Sequence, residues 1–546
     1  MVRFPTGFSH RHQARPCSFI ERVKIRILNP LLLVAAAALL QTLSPGAPGP
    51  QTPREVPPAF GPYVNPKASD FAGAKSFTNK DRLVGTYYFY WYCADTKEHI
   101  LNGDGSDALT DHTAPGTKLC YHSVAWHKKE LSDMIAAGID VVLPVFWGSP
   151  AEHVTNTTSH WSFAGLPPLV QAREQLLRAG KRPPRIGLFY DTSTLQWNAW
   201  NYHADLTTDF GKRFFYGTVR DFFSCIPPKH WAMIDRKPIV LLYASAFAAK
   251  WDQTFVDFTK LEFAREFGGR VPWIAPQDAW RVKGDATCAW GGALGLRNPG
   301  IGELGPGYDH SAVPGRTPLI VKREAGKFYE EQWLRFLRRP SNFVMLETWN
   351  ELHEGTDLCE SREYGRQYIE LTRKYADLFR RGWIPPRPKG AYNDAKSVSV
   401  TLGERDAERG LKLVPAEDGQ TAPATRDGRE ARAIQRVPNF NPYVYFAVDE
   451  SFKSGGAMQA TAEVEYCDTA TGMLTLEFDG SDLSAPFNGA YSRSGEVVQL
   501  TGDQRWKTAR FTLRDARFLN SQNGGADFRL AVGAAEFAVR RVVLTR

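Results

Sequence analysis

Short apolar runs with strand propensity alternate with stretches of helical periodicity from about residue 82 to about residue 383, and this alternation constrains the fold more than any other feature. Alternating strands and helices indicate a parallel sheet covered by helices. The runs are numerous enough for the eight strands of a (β/α)8 TIM barrel, which we expect over residues 81–385. A doubly wound sheet is the alternative, but no G-x-G-x-x-G follows the first run, so a dinucleotide site is not indicated.

The predicted strands are Leu83–Tyr92, Val141–Phe146, Arg185–Tyr190, Pro238–Tyr243, Trp273–Ala275, Thr287–Trp290, Gly302–Tyr308 and Phe343–Leu346. The predicted helices are Trp126–Ala137, Phe210–Phe223, Phe255–Phe267, Lys327–Arg338 and residues 363–379. In a barrel of this kind, the loops that follow the strands carry the functional residues. We therefore expect the functional residues at the carboxyl ends of the predicted strands.

The last predicted strand runs directly into a cluster of acids and amides, F-V-M-L-E-T-W-N-E-L-H-E-G-T-D-L-C-E, which spans Phe343–Glu360. Glu351 and Glu354 are three residues apart and would share one side of a helical turn. Two carboxylates that close do not ionise independently, so one acts as an acid and the other as a base. Glycoside hydrolysis requires such a pair, and we expect Glu351 and Glu354 to be catalytic.

Aromatic and acidic residues recur at the other strand ends and suit a sugar-binding cleft. His353 is interpreted as a hydrogen-bond donor to sugar or a structural contact, with proton transfer as a further possibility. The predicted substrate-binding residues are Tyr90, Trp91, Trp147, Tyr190, Asp191, Asp309, Trp349, Asn350 and His353.

The octapeptide Trp349–Thr356, W-N-E-L-H-E-G-T, resembles the N-E-W-H-E-G-T motif of glycoside hydrolase family 99, the endo-α-mannosidase and endo-α-mannanase family. It resembles still more closely the related bacterial proteins grouped as domain of unknown function 5010. The aromatic first strand and P-G-Y-D at Pro306–Asp309 extend the resemblance over most of residues 82–383. Leu352 stands where the family usually has Trp, and Asp357-Leu358 replaces the usual Gln-Ile.

The resemblance implies a retaining mechanism in which no carboxylate attacks the sugar. Glu351 would take the proton of the sugar 2-hydroxyl, and Glu354 would be the general acid/base. It also implies the substrate class, α-mannose-containing glycans cleaved in an endo fashion. A carbohydrate-binding protein without catalytic activity is the competing interpretation. No G-x-S-x-G nucleophile elbow supports an esterase.

The amino-terminal residues are typical of an export signal. Basic residues precede the apolar run Leu31–Leu40, which is too short to span a bilayer and has the length of a signal-peptide core. An uncleaved anchor is the alternative. We expect a signal peptide over residues 1–43, a Pro/Gly-rich linker over residues 44–80, and a protein that is secreted, periplasmic or on the cell surface.

Seven cysteines occur, and Cys17 would leave with the signal peptide. In an oxidising compartment the remaining six can form disulfides, and Cys93–Cys120 is the preferred pair because it would close a Gly/Asp-rich loop. No C-x-x-C occurs, and the spacing of Glu351, His353 and Glu354 matches no standard zinc signature. We therefore expect no cofactor and no metal.

A proline cluster after Ile384 separates the barrel from a region of short alternating runs with Gly, Asp and Asn turns. This pattern predicts a β-sandwich over residues 392–546 that resembles the jelly-roll modules of secreted carbohydrate-active enzymes. The module either binds sugar through exposed rings or only packs on the barrel; the available rings are Tyr443, Tyr445, Phe487, Tyr491 and Trp506.

The net charge of +8 comes from scattered basic residues rather than from a run, so nucleic-acid binding is not indicated. The sequence therefore predicts a secreted glycoside hydrolase that acts on a polysaccharide or glycan and keeps no membrane span after signal cleavage.

Overall fold

The computed structural model describes residues 55–150, 160–316, 319–338, 340–386, 389–416, 418–436, 442–453, 457–482 and 489–546. The expected signal peptide lies outside the described residues, as do the first part of the linker and Phe487. Within the described ranges, no helix has both the length and the apolar character needed to cross a membrane.

The first part of the chain forms a largely parallel sheet. Its strands are β1 (Leu83–Tyr88), β2 (Val141–Phe146), β3 (Arg185–Ile186), β4 (Leu188–Tyr190), β5 (Met233–Ile234), β6 (Lys237–Leu242), β7 (Trp273–Pro276), β8 (Gly302–Leu304) and β11 (Phe343–Leu346). Two short strands between β8 and β11, β9 (Tyr308–Asp309) and β10 (Ile320–Val321), pair with each other in a separate antiparallel sheet. The parallel order runs β7–β6–β4–β2–β1–β11–β8; β3 also pairs with β2, and β5 pairs antiparallel with β6. All residues of β1, β2 and β11 are buried, as expected for strands covered on both faces.

The segment around Cys288 connects the two edges of this sheet. Cys288 N donates to Pro276 O of β7 at 3.1 Å. One residue earlier, Thr287 O accepts from Ile301 N at 3.0 Å, directly before β8. A short extended segment therefore lies between the first and last strands of the sheet order and is hydrogen-bonded toward both.

Helices connect most of the strands: α1 (Val124–Ala137), α2 (Trp161–Ala164), α3 (Leu166–Arg178), α4 (Asp209–Ser224), α5 (Thr254–Glu266), α6 (Lys327–Arg338) and α7 (Gln367–Arg380). Ser123 caps α1 by accepting from Trp126 N, and Gly138 ends it in the left-handed region. The sequence did not predict α3, whose first turn contains two prolines, a position where proline is tolerated. The last helix begins later than predicted because residues 361–366 form turns.

The carboxy-terminal part consists mostly of antiparallel sheets. One sheet has the order β13–β12–β23–β16–β15, with β18 paired to β23 and β21; the other has the order β14–β17–β22–β19–β20. Their bounds are β12 (Ser397–Thr401), β13 (Ala407–Arg409), β14 (Leu411–Val414), β15 (Thr421–Arg426), β16 (Arg429–Ile434), β17 (Tyr443–Val448), β18 (Met458–Cys467), β19 (Thr471–Phe478), β20 (Ser492–Thr501), β21 (Trp506–Ala516), β22 (Phe528–Val532) and β23 (Ala538–Thr545). Apolar residues of both sheets share one core. The alternating runs in the sequence predict seven strands, and all seven fall within observed ones: Tyr443–Val448, Ala460–Tyr466, Met473–Phe478, Val497–Leu500, Thr508–Leu513, Phe528–Ala531 and Arg540–Leu544. The strands β12 to β16 were not predicted.

Ion pairs and a hydrogen bond join the two parts. Glu450 pairs with Arg338 at 2.8 Å and with Arg335 at 3.7 Å, both on α6. Burial alone would raise the pKa of Glu450, but Lys453 and Arg335 outweigh it and lower the pKa to about 2. Arg297 Nη1 also donates to Ser521 O at 3.1 Å. The carboxy-terminal sheets are thus attached to the first part through charged contacts.

Candidate active site

The acidic motif follows β11 and is fixed by backbone contacts. Asn350 is buried and bonds both backbone groups of Phe89, accepting from N at 2.8 Å and donating to O at 2.7 Å. Thr348 N donates to Thr356 O at 2.9 Å, which closes the motif into a loop. Residues 352–355 form a turn rather than the expected helical turn, and Gly355 takes a φ of 53°. These hydrogen bonds hold the motif against Phe89, the residue that directly follows β1.

Arg323 holds the far side of this loop. Its Nη2 donates to Asp357 Oδ1 at 2.7 Å, to Asp111 Oδ2 at 2.9 Å and to Gly355 O at 2.9 Å. The guanidinium is buried and lies over the ring of Tyr364 at 4.2 Å. Arg323 thus ties the motif to the loop that follows β1, whose residues also reach the site.

A cavity of about 200 Å³ lies at the carboxyl ends of the strands. Its apolar walls come from six aromatic residues: Phe89, Trp91, Trp147, Phe189, Tyr243 and Trp290. Its acidic and imidazole groups come from Asp191, Glu351, Glu354, His99 and His353, and loops supply Leu101, Asn102, Gly103, Ala108, Val313, Pro314 and Arg316. An aromatic enclosure with a few polar groups is typical of a site for a small organic ligand or a sugar.

Glu351 lines the cavity, and its two carboxylate oxygens differ in their hydrogen bonds. Its Oε1 accepts from His353 N at 3.2 Å and from His353 Nδ1 at 2.7 Å. Its Oε2 is buried and has no hydrogen-bond partner within the described part of the chain. A buried carboxylate oxygen without a partner is costly and calls for a ligand or a catalytic role. Glu351 therefore lines the cavity and has one acceptor oxygen without a partner among the described residues.

His353 orients Glu351. Its Nδ1 bonds Glu351 Oε1, and its Nε2 bonds His99 O at 2.9 Å. A carboxylate and a backbone carbonyl both accept hydrogen bonds, so this arrangement favours hydrogen on both ring nitrogens. Burial lowers the pKa of His353, but Glu351 outweighs this and the net pKa is raised. Because both nitrogens are occupied, His353 acts through Glu351.

Glu354 has a different environment. Its Oε1 pairs with Arg316 Nη1 at 2.9 Å, and its side chain is 13% exposed. Burial and the neighbouring Glu351 carboxylate raise the pKa of Glu354 to about 7, although Arg316 opposes the shift. One motif thus places a carboxylate that is hydrogen-bonded to a histidine beside a carboxyl group whose pKa is about 7. This is the separation of roles that acid–base chemistry requires.

Asp191 follows β4 and also reaches the cavity. Its Oδ1 accepts from Ser193 N at 3.0 Å, and its Oδ2 accepts from the indole N–H of Trp147. Burial raises the pKa of Asp191. Trp91, which also lines the cavity, stacks on His99 with ring centroids 4.6 Å apart, and burial lowers the pKa of His99 to about 3. The imidazole of His99 is therefore neutral and forms part of the apolar wall.

The structure brings together six of the predicted residues, which all line the cavity: Trp91, Trp147, Asp191, Glu351, His353 and Glu354. Five others are not among its lining residues: Tyr90, Tyr190, Asp309, Trp349 and Asn350. Tyr90 donates to Ser162 O at 2.7 Å, and Trp349 donates to Glu130 Oε2 at 2.6 Å on α1. Both of these side chains are buried. Tyr90 stands between Phe89 and Trp91, which line the cavity, and adjacent residues of an extended chain point in opposite directions.

Two further buried carboxylates lie beside the site and were not predicted as functional. Glu347 accepts from Gly291 N at 3.0 Å, and burial raises its pKa to about 7. Glu303 accepts from the hydroxyl of Tyr87 at 3.0 Å, and burial together with Glu347 raises its pKa. Glu347 and Glu354 both line a second, smaller cavity. The sequence signal that could have identified Glu303 is the presence of an acidic residue inside a predicted strand, Gly302–Tyr308.

The structure also gives the surroundings of the cysteines expected to form a disulfide and of the aromatic rings in the carboxy-terminal part. Cys93 and Cys120 lie with Sγ atoms 2.7 Å apart, but both are free thiols, so the expected disulfide is not formed. With Asp95 they are the one group of potential metal ligands found among the described residues. In the carboxy-terminal part, Arg529 lies over Tyr443 at 3.6 Å and over Tyr491 at 4.1 Å. Those two rings therefore contact a protein cation.

Comparison with known proteins identifies one family. A family model described as domain of unknown function (DUF5010) matches residues 68–399, more than half of the chain. No curated protein sequence matches. Among solved structures, an endo-alpha-mannosidase of family GH99 from Bacteroides thetaiotaomicron is 15% identical and aligns over 55% of this chain and 98% of its own, with a TM-score of 0.41.

Two other solved structures are similar to separate parts of the chain. A glycoside hydrolase-like protein is 17% identical over 58% of this chain and 99% of its own, with a TM-score of 0.41. A carbohydrate-binding module of family 6 from a laminarinase of Zobellia galactanivorans is 12% identical over 28% of this chain and 99% of its own, with a TM-score of 0.17.

Proposed function

The chain belongs to the family described as domain of unknown function 5010, and from this premise we propose that it is a secreted glycoside hydrolase that retains configuration and cleaves α-mannose-containing glycans internally. The observation that carries the proposal is the pair Glu351 and Glu354 in one aromatic cavity, with the Oε2 of Glu351 unpartnered and the pKa of Glu354 raised to about 7. The catalytic roles are those implied by the W-N-E-L-H-E-G-T motif.

In the proposed first step, Glu351 Oε2 takes the proton of the sugar 2-hydroxyl. The O2–C1 bond forms while the C1–O bond to the leaving group breaks, and Glu354 donates its proton to the departing oxygen. In the second step, water attacks C1 and gives its proton to Glu354, the C1–O2 bond breaks, and O2 takes back the proton held by Glu351. Two inversions at C1 give net retention, and no covalent bond to the protein is formed.

The proposed mechanism determines which sugar configuration can react. The 2-hydroxyl must attack C1 from the face opposite the leaving group. In an α-mannoside these two oxygens are axial and on opposite faces, whereas in an α-glucoside the 2-hydroxyl is equatorial and off the trajectory. We therefore propose manno-configured substrates, with Trp91, Trp147 and Asp191 in contact with sugar.

We propose that the parallel sheet is a (β/α)8 barrel over residues 81–385, closed through the segment at Cys288. Support comes from the hydrogen bonds of residues 287–288 to Pro276 and Ile301. We propose that residues 392–546 are a jelly-roll carbohydrate-binding-like module, that residues 1–43 are the signal peptide and residues 44–80 the linker, and that the protein acts outside the cytoplasm.

The test is incubation of the purified protein with a panel of α-linked polysaccharides, including α-mannans and α-glucans, followed by measurement of new reducing ends. Internal cleavage of an α-mannan that is lost in Glu351→Gln supports the proposal. Efficient cleavage of α-glucans contradicts it.

A second candidate is a carbohydrate-binding protein without catalysis on the same scaffold. The ion pair between Arg316 and Glu354 favours it, since this pair stabilises the ionised form of the proposed acid. Binding of α-mannosides with no release of reducing ends from any polysaccharide of the panel would support this alternative.

A further inference from the structure

Arg316 is a cavity residue that the proposed mechanism does not use. It lies on the loop between β9 (Tyr308–Asp309) and β10 (Ile320–Val321), which pair antiparallel. His310 fixes the base of this loop, since its Nε2 accepts from Leu319 N at 3.0 Å and its Nδ1 bonds the hydroxyl of Tyr308 at 3.1 Å. The guanidinium is therefore presented to the cavity from an anchored hairpin.

Arg316 is the one lysine or arginine among the described residues that line the cavity. Its side chain is 10% exposed, and its Nη1 pairs with Glu354 Oε1 at 2.9 Å. Its Nε is buried and has no hydrogen-bond partner within the described ranges. A guanidinium has five N–H donors, so the pair with Glu354 leaves donor capacity unused inside the cavity.

The charge balance of the cavity changes when Glu354 carries the proton needed for an acid role. A protonated Glu354 is neutral, and Arg316 is then a nearly buried cation without a counter-charge, which is strongly unfavourable. The other acids do not replace it: Glu351 Oε1 is bound to His353, and Asp191 accepts from Trp147 and Ser193. A neutral sugar supplies only hydroxyl oxygens, which bind a guanidinium more weakly than an anion does.

We infer that Arg316 recognises an anionic substituent on the sugar, a carboxylate or a sulfate or phosphate ester, and that binding of this group releases Glu354 from its ion pair. The inference rests on the proposed function and narrows its substrate class to acidic glycans. Arg316 is a specificity-determining residue in this scheme. The anion replaces Glu354 as the ion-pair partner of the guanidinium, and Glu354 keeps the proton that it needs to act as the acid.

The experiment measures binding by calorimetry with the full chain and three probes: methyl α-mannoside, its uronic acid counterpart and its 6-sulfate. The wild type should bind at least one anionic probe tenfold or more tightly than the neutral probe, a difference of about 1.4 kcal/mol. Arg316→Gln should lose this preference, and Arg316→Lys, which retains the charge but not the planar fork, should keep part of it. The two anionic probes distinguish a carboxylate from a sulfate ester.

Lys322→Gln is the matched control, because Lys322 is exposed, lies just after the same hairpin and removes the same charge outside the cavity. It should leave the preference unchanged. Equal binding of all three probes by the wild type, or a preference that persists in Arg316→Gln, overturns the inference. The readout is binding, so an anionic preference without any hydrolysis would refute the proposed function and leave the inference standing. Hydrolysis of neutral mannan without an anionic preference would do the reverse.

Discussion

Replacing each carboxylate of the pair by its amide tests the assignment of acid and base. Glu354→Gln removes the proton donor, so cleavage of an ordinary α-mannoside should fall by about 10²–10⁴-fold. An aryl α-mannoside with an acidic phenol leaves without protonation, so on that substrate the loss in Glu354→Gln should shrink to less than about tenfold. Glu351→Gln removes the group that activates the 2-hydroxyl, which both substrates need, and should lose about 10²–10⁴-fold on both.

The pH dependence provides an independent measure of the same assignment. The reaction needs protonated Glu354, whose raised pKa is about 7, so kcat/KM on the ordinary substrate should decline above about pH 7. One unit above this pKa about one tenth of the enzyme carries the proton, so at pH 8 the rate should be about tenfold lower. This decline should be absent for the aryl substrate in its first step. Arg316 lowers the pKa of Glu354, so Arg316→Gln should move the decline to higher pH.

Glu360→Gln is the control for both substitutions, because Glu360 belongs to the same motif region but pairs with Lys129 and Arg366 outside the cavity. Its activity should stay within a factor of about two of the wild type, as for a surface ion pair of small energetic value. Full activity of Glu351→Gln, or equal loss of both substrates in Glu354→Gln, would refute the assignment.

Three other predictions concern stability and covalent state. Asn350→Ala leaves both buried backbone groups of Phe89 unpaired, and each unpaired group costs about 1–3 kcal/mol. Denaturant unfolding should therefore show a free energy of unfolding that is lower by at least about 2 kcal/mol. Asn342 is exposed, and Asn342→Ala should lower the free energy of unfolding by less than about 1 kcal/mol. A chain ending at residue 391 should remain soluble and folded by circular dichroism but melt at a lower temperature, because it lacks the contacts of Glu450 with α6; an insoluble product would contradict this. Mild oxidation should join Cys93 and Cys120, whose Sγ atoms are 2.7 Å apart, and peptide mapping without reduction should find that pair.

Local patterns predicted the strands of the sheet well. The runs at Val141–Phe146 and Phe343–Leu346 coincide with observed strands, since strands buried on both faces are uninterrupted apolar stretches that few other structures produce. The helix Leu166–Arg178 was missed because its prolines suggest a break, although they lie in the first turn. The strands Ser397–Thr401, Thr421–Arg426 and Arg429–Ile434 were missed because small and polar residues outnumber large apolar ones in each, which weakens the strand signal.

The sequence indicated which strand ends face the site but not which side chains enter it. Trp91 lines the cavity while Tyr90 and Tyr92 do not, although all three follow the same strand. The extended chain directs successive side chains to opposite sides, and a shift of one residue reverses the set. A strand end read from sequence therefore names a short segment, and the pleat decides which residues of that segment reach a ligand.

The difference between the two carboxylates proposed to be catalytic could not be read from the motif that contains them. Glu351 owes its environment to His353 nearby and to the backbone oxygen of His99, about 250 residues earlier in the chain. Glu354 owes its environment to burial beside Glu351 and to Arg316 on a separate hairpin. The motif supplies two chemically identical groups, and contacts distant in sequence give them the different environments on which the proposed base and acid roles rest. A family member that keeps W-N-E-L-H-E-G-T but replaces the residue equivalent to Arg316 by a neutral one should therefore retain the acid–base pair and lose the preference for anionic sugars, which separates the determinant of the reaction from the determinant of its substrate.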